Sequence, residues 1–261
     1  MKAPYPQLDD PATTVEHGRL IQRKGVLRKL YAENYGRFRQ AIRHAPEGMV
    51  VELGSGGGFI KEMIPEAITS DVLPLPNCDL VLSAESLPFA DNTVRAIVMQ
   101  DVLHHIKNVE AFFREAQRCL VPGGKLLAVE PASTGWARFI WKNFHHEPYR
   151  PDSDWTIPEL GPLSGANGAL PWIVFTRDRR VFERKFPKLK ICKIDDHTPF
   201  LYLLSGGVRR WSLLPGGLYG ITRAIERAIA RLGIHMGMFL YIEIVKEQEI
   251  VVEPARSEAR G

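Results

Sequence analysis

The residues with the clearest chemical potential begin with a run of alternating glycines. Glu52, Gly54, Gly56 and Gly58 occupy every second position directly after a short apolar stretch. Glycine lets the backbone turn sharply and approach a ligand without interference from a Cβ atom, and a following helix would offer free N–H groups. The dinucleotide pattern G-x-G-x-x-G, counted from Gly54, would need a glycine where Phe59 stands. The loop therefore does not fit a dinucleotide enzyme.

Two pairs of adjacent histidines, His104-His105 and His145-His146, are candidate general bases. Histidine titrates near neutral pH and can take a proton from a hydroxyl group. The alternative for the first pair is a loop anchored by hydrogen bonds, and for the second pair a capped helix end with aromatic packing. Neither pair has the i, i+4 spacing of a helical zinc site, so we expect no metal.

Asp101 and an aromatic segment extend this candidate catalytic region. Asp101 would contact the substrate or cap the loop that carries the first histidine pair. Four aromatic side chains near the second pair would wall a pocket: Trp136, Trp141, Tyr149 and Trp155. The Gly- and Pro-containing stretch 161–172 would be a lid that excludes water, or only a surface connection.

The elements that must position these residues follow a strand–helix rhythm. Apolar runs predict strands at 49–53, 67–72, 79–82, 94–100, 125–130, 189–195 and 238–246. Helical patterns lie at 18–44, 59–64, 109–120, 178–186 and 218–232. Strands that alternate with helices predict an α/β, Rossmann-like fold with a mostly parallel seven-stranded sheet and helices on both faces. Ligands of such sheets bind outside the carboxyl ends of the strands.

The regions outside the central strands are less regular. We expect residues 1–17 to be irregular and the pattern to loosen over 132–175. The expected organisation is an N-terminal helical lid (1–46), a ligand-binding core (47–131), substrate-side loops, helices and final strands of the same, expanded C-terminal part (132–246), and a flexible tail (247–261).

Composition limits the compartment and the partners. The 261 residues, 45% of them hydrophobic, suffice for one large α/β domain, and a net charge of +4 without basic runs does not indicate nucleic acid. Cys78, Cys119 and Cys192 are widely spaced, which favours a reducing compartment. Because neither a signal-peptide pattern nor a run of about 18 apolar residues occurs, we expect a cytoplasmic protein.

The predicted helix 218–232 combines arginines at four-residue spacing with an apolar face. One interpretation is that its apolar face packs on the sheet and its arginines lie in water. The other is a peripheral contact with anionic lipid at the inner face of the membrane.

The order of several motifs carries a family resemblance. After the glycine loop come SDVLP, SAESLPFADNTVRAIVMQDVLHHI and REAQRCLVPGGKLLAVEP. Together they resemble class I S-adenosylmethionine-dependent methyltransferases of the type 11 group, over about 85 residues, and the chain as a whole is similar to an uncharacterised bacterial branch of that group.

The resemblance implies a cofactor, S-adenosylmethionine, and a place for each of its parts. The three loop glycines would pass beneath the methionine and ribose, Glu52 would accept from the ammonium group, and Asp71 would hold both ribose hydroxyls. Gln100 would meet the methionine end through its backbone. The implied cofactor-binding set is Glu52, Gly54, Ser55, Gly56, Gly58, Asp71, Ser83, Ala84, Glu85 and Gln100.

One position departs from the family pattern. The family commonly reads D-A-E-x-L-P-F, with the Asp accepting from the adenine amino group, whereas this chain has Ser83 followed by Ala84 and Glu85. A hydroxyl can still accept that bond but carries no charge, and Ala84 would offer its backbone N–H. We therefore expect weaker cofactor binding or a substituting water.

The expected reaction is methyl transfer to a small molecule, most simply to an oxygen of an apolar, glycosyl or lipid-like acceptor. C-methylation of a quinone-type precursor is the alternative reaction. A regulatory protein that binds the cofactor without transferring its methyl group is the alternative from another class. The oligomeric state is left open by the sequence.

Overall fold

The structure is a computed structural model that describes residues 6–158 and 161–247. Seven strands form one sheet in the order β3-β2-β1-β4-β5-β7-β6. They are β1 (Met49–Leu53), β2 (Ile68–Asp71), β3 (Leu80–Val81), β4 (Val94–Gln100), β5 (Leu120–Pro131), β6 (Leu189–His197) and β7 (Phe239–Lys246). All seven predicted strands are present. Of the predicted tail, all residues beyond 247 lie outside the described part.

The pairing of the strands confirms a mostly parallel sheet. β1 pairs in parallel with β2 and β4, β2 with β3, and β4 with β5. β7 runs antiparallel to both β5 and β6. The carboxyl ends of β1, β2, β4 and β5 therefore meet at one edge, which is where such a sheet binds its ligands.

Helices cover this sheet. They are α1 (Pro11–Arg23), α2 (Gly25–Ile42), α3 (Val109–Cys119), α4 (Gly135–Phe144), α5 (Leu170–Trp172), α6 (Arg179–Lys185), α7 (Leu201–Ser205) and α8 (Tyr219–Arg231). Ile173–Arg177 form a π-helical turn, and 3-10 turns occupy Pro6–Asp9, Ile60–Glu62, Leu103–His105 and Gly216–Leu218. In the described residues no helix combines the length and apolar character that a membrane crossing requires.

The N-terminal prediction was partly wrong. Residues 1–17 were expected to be irregular, but α1 begins at Pro11, where the Asp10 side chain accepts from the backbone N–H of Ala12. The predicted helix 18–44 is instead two helices, because Lys24 adopts an extended conformation between them. The Lys24 ammonium donates to the carbonyl of Gly207 at 2.6 Å, which ties this break to the C-terminal part.

Two further predictions of local structure need correction. The predicted helix 59–64 is only a 3-10 turn, Ile60–Glu62, because the chain leaves the glycine loop in a non-helical conformation at Phe59 and meets Pro65 soon after. The region 132–175 was expected to be loose, yet it contains α4, which begins where Thr134 caps the N–H of Ala137.

Helix α8 contradicts most of one of its two interpretations, which placed its arginines in water and its apolar face on the sheet. Arg227 and Arg231 are exposed as expected, but Arg223 and Glu226 are buried, at 7% and 3% exposure. Ile221 and Ile225 are exposed, at 61% and 52%. The physical reason is hydrogen bonding: the Glu226 carboxylate accepts from two backbone N–H groups at the start of α7 and from the Arg223 guanidinium.

Candidate active site

The glycine loop turns back over the ends of β1 and β2. Gly54 and Gly56 have φ values of +62° and +49°, the left-handed region that favours glycine. The Ser55 N–H donates to the Ser70 carbonyl at 2.8 Å, and the Ser55 hydroxyl accepts from the Ser70 N–H at 3.1 Å. These bonds fix the loop against the neighbouring strand, so its backbone faces the carboxyl edge of the sheet.

Asp71, at the end of β2, is the partner of this loop. Its carboxylate accepts from the Gly56 N–H at 3.0 Å and from the Leu73 N–H at 2.9 Å. Burial is the main reason why the pKa of Asp71 is raised, although these backbone bonds oppose the shift. Each carboxylate oxygen keeps a lone pair for a further donor, such as one of two vicinal hydroxyls.

Glu52 supplies a buried carboxyl group at the end of β1. The side chain is 3% exposed, and its Oε2 atom has no hydrogen-bond partner among the residues that the structure describes. Burial raises the pKa of Glu52 to about 7, with Asp71 adding a smaller repulsion, while Ser55 and Tyr35 act in the opposite direction. An orphaned buried carboxylate oxygen is expensive, and a bound ammonium group would satisfy it.

All ten residues of the predicted cofactor set line one cavity of about 500 Å³. The candidate catalytic residues Asp101, His105, His145 and His146 line the same cavity. His104 does not; it lines a smaller neighbouring pocket of about 150 Å³, which shares Asp101, His105 and Glu147 with the larger one. One continuous space therefore runs from the glycine loop to the histidines.

The stretch that was predicted to meet adenine lies on the exposed side of the cavity. Ser83 is exposed, and its hydroxyl accepts from the Glu85 N–H at 3.2 Å. The Glu85 carboxylate accepts from the Asn108 N–H at 2.9 Å, which joins this stretch to the start of α3. Gln100 faces the same cavity, and its side-chain oxygen accepts from Asn34 of α2 at 3.3 Å.

His104 is held between two carboxylates. Its Nδ1 atom lies 2.7 Å from Glu130 Oε2, and its Nε2 atom lies 3.3 Å from Glu147 Oε2. The other oxygen of Glu130 accepts from the N–H groups of Val102 and Leu103. Burial lowers the pKa of His104, but the two carboxylates outweigh burial and raise that pKa well above its usual range. An imidazolium that is already charged at neutral pH cannot accept a proton there, so His104 does not fit the role of a base.

His105 has the opposite character. Its Nδ1 atom lies 3.0 Å from the Gly165 carbonyl oxygen, which indicates that this nitrogen carries the proton. Burial, and secondarily the neighbouring His104 charge, lowers the pKa of His105. The ring is therefore neutral at pH 7, with Nε2 unprotonated and 3.6 Å from Glu147 Oε1. This is the protonation state that a general base needs.

Asp101 sits in strained backbone at the same edge. Its φ of +59° is unusual for a residue other than glycine, and such strain concentrates at functional sites. Burial raises the pKa of Asp101 to about 7, and Glu130 adds to that increase, whereas His104 opposes it. Asp101 lies between the cofactor side of the cavity and the histidine cluster, so it can meet an acceptor there.

The second histidine pair stacks at the end of α4. His145 packs edge-on against Trp141 at 5.0 Å between ring centroids and stacks on His146 at 4.6 Å. Burial lowers the pKa of His145 to about 4. Of the four predicted aromatic wall residues, Trp141 and Tyr149 line the smaller pocket. The other two do not line either pocket: the indole N–H of Trp136 donates to the Pro199 carbonyl, and that of Trp155 donates to the Asp178 carboxylate.

The N-terminal helices and loop 161–172 close over the cavity. Thr14, His17 and Ile21 of α1 line it, as does Leu163 of the loop. The Asp9 carboxylate accepts from the backbone N–H groups of both Leu163 and Ser164. No sequence pattern singled out Asp9 or His17 for these roles, because each depends on tertiary contacts.

The spacing of the histidine pairs predicted no metal, yet the structure brings three potential ligands together. Nitrogen and oxygen atoms of His104, His105 and Glu147 lie within 4.8 Å of one another. The charge of an imidazolium at His104, paired with Glu130 and Glu147, accounts for this arrangement through ion pairs alone. The absence of a metal from this site stays a prediction.

Residues 59–128 match the family model described as "Methyltransferase domain". A curated relative, the uncharacterized protein YafE of Escherichia coli (strain K12), is 44% identical over 59 residues. That alignment covers 22% of this chain and 28% of YafE, so the chain matches less than a third of that relative's length.

Two solved structures share the fold at low sequence identity. A Thermotoga maritima SAM-dependent methyltransferase, described as a possible histamine N-methyltransferase, gives a TM-score of 0.51 at 17% identity over 90% of this chain and 100% of its own. A chain of the structure described as the "Complex between the Haloferax volcanii Trm112 methyltransferase activator and the putative methyltransferase" gives a TM-score of 0.50 at 13% identity, over 85% of this chain and 93% of its own. The expected class I fold is confirmed.

Proposed function

We propose that this chain, which carries a class I S-adenosylmethionine-dependent methyltransferase domain, methylates a hydroxyl oxygen of a small apolar acceptor with His105 as the base. The observation that carries the proposal is the continuous cavity between the glycine loop and a neutral, half-buried His105. His105 combines a neutral ring, an oriented Nδ1–H group and an Nε2 atom near a carboxylate. His104 is instead charged, and the Nδ1 atom of His145 accepts from the Glu147 N–H.

The residues at the cofactor end fit S-adenosylmethionine. The orphaned Glu52 oxygen would accept from its ammonium group, and the free lone pairs of Asp71 would accept from the two ribose hydroxyls. The backbone at Gly54 and Gly56 would pass beneath the ribose, and Ser83 would face the adenine amino group. These assignments are supported by the lining of the cavity and by the unpartnered Oε2 atom of Glu52.

At the acceptor end, the chain supplies proton transfer and positioning. The bound cofactor supplies an activated methyl group on a sulfonium. His105 Nε2 would take the proton of the acceptor hydroxyl, and the Glu147 carboxylate, 3.6 Å away, would stabilise the imidazolium that results. His104, fixed by Glu130, would hold Glu147 in place. Asp101 would orient the hydroxyl group.

One alternative reaction and one alternative function from another class are tested against this proposal. C-methylation of a quinone-type precursor would use an activated ring carbon as nucleophile and would depend less on a histidine base. A regulatory protein would bind the cofactor and show no turnover with any acceptor. The apolar walls that Tyr31, Tyr202 and Val208 provide beside Asp101 suit a lipid-like or isoprenoid hydroxyl acceptor.

The test compares His105→Gln with His44→Gln, a substitution of an exposed histidine outside the cavity. Release of S-adenosylhomocysteine is measured with a panel of hydroxylated apolar acceptors and with phenolic quinone precursors. We expect His105→Gln to lower kcat about 10²–10⁴-fold with nearly unchanged cofactor affinity. Near-normal turnover in His105→Gln would exclude the base, and turnover restricted to quinone precursors would favour C-methylation.

The pH profile gives a second readout. Because the pKa of His105 is lowered, kcat/KM should rise with pH through an acid limb below about pH 6.5 and stay high above it. Glu147 raises the pKa of His105, so Glu147→Gln should shift that limb to lower pH and also lower the plateau rate. If the acid limb of kcat/KM stayed at the same pH in Glu147→Gln, the titrating base would not be a His105 that interacts with Glu147.

A further inference from the structure

We propose that the enzyme binds anionic lipid bilayers through an apolar surface formed by α8 and the loop before it, so that its acceptor enters from the membrane. This inference goes beyond the proposed reaction and does not depend on which atom is methylated. The surface, called here the 211–232 surface, consists of exposed apolar side chains: Trp211, Leu213, Leu218, Ile221, Ile225 and Leu232.

The exposure of this surface is large for a folded chain. Leu232 and Leu213 are 75% and 70% exposed, and Ile221 is 61% exposed. On an ideal helix, Ile221, Ile225 and Leu232 fall on one face. Scattered exposed apolar residues are ordinary, but a concentration within one short stretch of chain marks an interaction site.

Buried polar contacts fix the helix in this orientation. Arg223 is 7% exposed and pairs with Glu226 of its own helix and with Glu33 of α2. The Glu226 carboxylate also accepts from the N–H groups of Phe200 and Leu201, both at 2.8 Å. Turning α8 to hide its isoleucines would expose or break these bonds. The apolar face therefore stays outward in the folded chain.

The exposed charges within residues 205–235, which include this surface, have one sign. Arg209, Arg210, Arg227 and Arg231 are exposed, and Glu226, the only acidic residue between Ser205 and His235, is buried. On α8, Arg231 lies beside the isoleucine face, about 80° around an ideal helix from Ile221, and Arg227 lies about 120° from it. An amphipathic helix with apolar residues beside arginines suits the interface of an anionic bilayer, where each arginine adds attraction.

The same charge disfavours a second copy of this chain as the occupant. In a twofold contact the same patch meets itself, so the four exposed arginines of each copy would face one another. No exposed carboxylate between Ser205 and His235 could pair them. Anionic headgroups supply the opposite charge, and acyl chains supply the apolar partner. We therefore infer that the partner of this surface is an anionic lipid bilayer and not a second copy of the chain.

The surface also adjoins the active-site cavity. Val208, three residues before Trp211, lines the cavity together with Tyr202 of α7. Arg209 donates to the carbonyl of Phe144 at 3.4 Å, and Phe144 is itself 61% exposed beside the His145-His146 segment that lines the cavity. A bilayer against the 211–232 surface would thus lie near the acceptor end of the cavity.

The experiment is vesicle sedimentation of the full chain, with phosphatidylcholine vesicles that contain about 30% phosphatidylglycerol compared with pure phosphatidylcholine. We expect binding to the anionic vesicles only. Ile221→Ser/Ile225→Ser should abolish it, while Val81→Ser, a substitution at equal exposure on β3, should not. The double variant Arg227→Gln/Arg231→Gln should weaken vesicle binding roughly thirtyfold. Its control is Arg180→Gln/Arg184→Gln, which removes two exposed arginines of the same spacing from α6 and should leave vesicle binding unchanged.

Trp211 provides an internal signal, since it is 46% exposed and is the only exposed tryptophan of the five in the chain. Its emission should shift to the blue on anionic vesicles, and Trp211→Phe should remove that shift. Wild-type protein that stays in the supernatant, or Ile221→Ser/Ile225→Ser that binds as well as wild type, would overturn the proposal.

Two controls separate other outcomes. Sedimentation equilibrium of wild type and Ile221→Ser/Ile225→Ser without lipid detects self-association. If the wild type formed a dimer that these substitutions dissociate, and did not bind vesicles, the partner of the surface would be a second copy of the chain and the lipid proposal would be wrong. Calorimetry with S-adenosylhomocysteine should give equal affinities for wild type and all surface variants. If wild type bound vesicles but not this ligand, the proposed methyl transfer would fail while the membrane proposal stood.

Discussion

Gly18 of helix α1 and Gly57 of the glycine loop lie against each other, so closely that a Cβ atom added to Gly18 would be 2.8 Å from the Gly57 Cα atom. Backbone therefore touches backbone where the N-terminal helix crosses the loop. Because Thr14 and His17 on the same helix line the cavity, this contact sets how closely the helix covers the proposed cofactor.

The first prediction concerns that crossing. Gly57→Ala should destabilise the protein by about 1–3 kcal/mol, the usual cost of overpacking, and should weaken S-adenosylhomocysteine binding because α1 must move away. Gly36→Ala is the matched control, since Gly36 lies within α2 with no atom in the way of a Cβ. It should stabilise by roughly 0.5–1 kcal/mol. Urea unfolding and calorimetry measure both, and equal stability of the two variants would contradict the contact.

The second prediction couples cofactor binding to a proton. The pKa of Glu52 is about 7 when its Oε2 atom is unpartnered, and an ammonium group beside it would lower that pKa. Binding should therefore release part of a proton at neutral pH, and affinity should increase as pH rises from about 5 to about 7. Calorimetry of S-adenosylhomocysteine binding in buffers of different ionisation enthalpy measures the number of protons released per ligand bound.

Glu52→Gln is the control for this linkage. It keeps the size and polarity of the side chain but cannot ionise, so it should bind more weakly and without proton release. Proton release that persists unchanged in Glu52→Gln would place the titrating group elsewhere, with Asp71 the next candidate because its pKa is also raised.

The central strands could be predicted because burial on both faces leaves a direct pattern in the sequence. β1 and β4 are near-continuous apolar runs, and the glycine spacing identified the loop between β1 and β2. Helix α1 left no such pattern, since only Thr14 and Ile21 are buried in it. Its position depends on contacts with the loop, which are remote in sequence.

The catalytic cluster shows a similar limit. The sequence pointed to His104 and His105 as equivalent candidates, and nothing in the local pattern distinguishes adjacent histidines. The structure distinguishes them. The Glu130 carboxylate, at the end of β5, favours the charged form of His104, whereas the Gly165 carbonyl, in the stretch 161–172, bonds to Nδ1 of His105 and orients its ring. In α8 the sequence showed amphipathicity correctly, but partners of Glu226 in α7 decide which face is buried.

The third prediction tests the departure from the family pattern. If Ser83 faces the adenine amino group, Ser83→Asp should preserve or tighten S-adenosylhomocysteine binding, because a charged acceptor bonds about twice as strongly. Ser86→Asp, also exposed but outside the cavity lining, is the control. The gain should vanish with the S-inosyl analogue, which lacks the amino group. A large loss of affinity in Ser83→Asp would show that the residue does not contact adenine.

The last prediction concerns the stability that the buried pair His104–Glu130 contributes. The two side chains are 3% and 0% exposed and 2.7 Å apart. Removing one partner of a buried pair costs about 3–5 kcal/mol, because the other charge stays behind uncompensated. His104→Gln should therefore destabilise the protein by about that amount at low pH, and urea unfolding measures the difference.

The sign of the pH dependence follows from the direction of the shift. The pKa of His104 is raised in the folded state, so its stabilisation is fully present below the unfolded pKa of about 6.5 and is lost as pH rises through the raised folded value. The gap between wild type and His104→Gln should thus be largest near about pH 6 and should narrow in alkaline solution. His235→Gln, at an exposed histidine paired with Asp196, should change stability little at any pH. A gap that widened with pH would mean that His104 is neutral in the folded protein, and His104 would then again compete with His105 as the base.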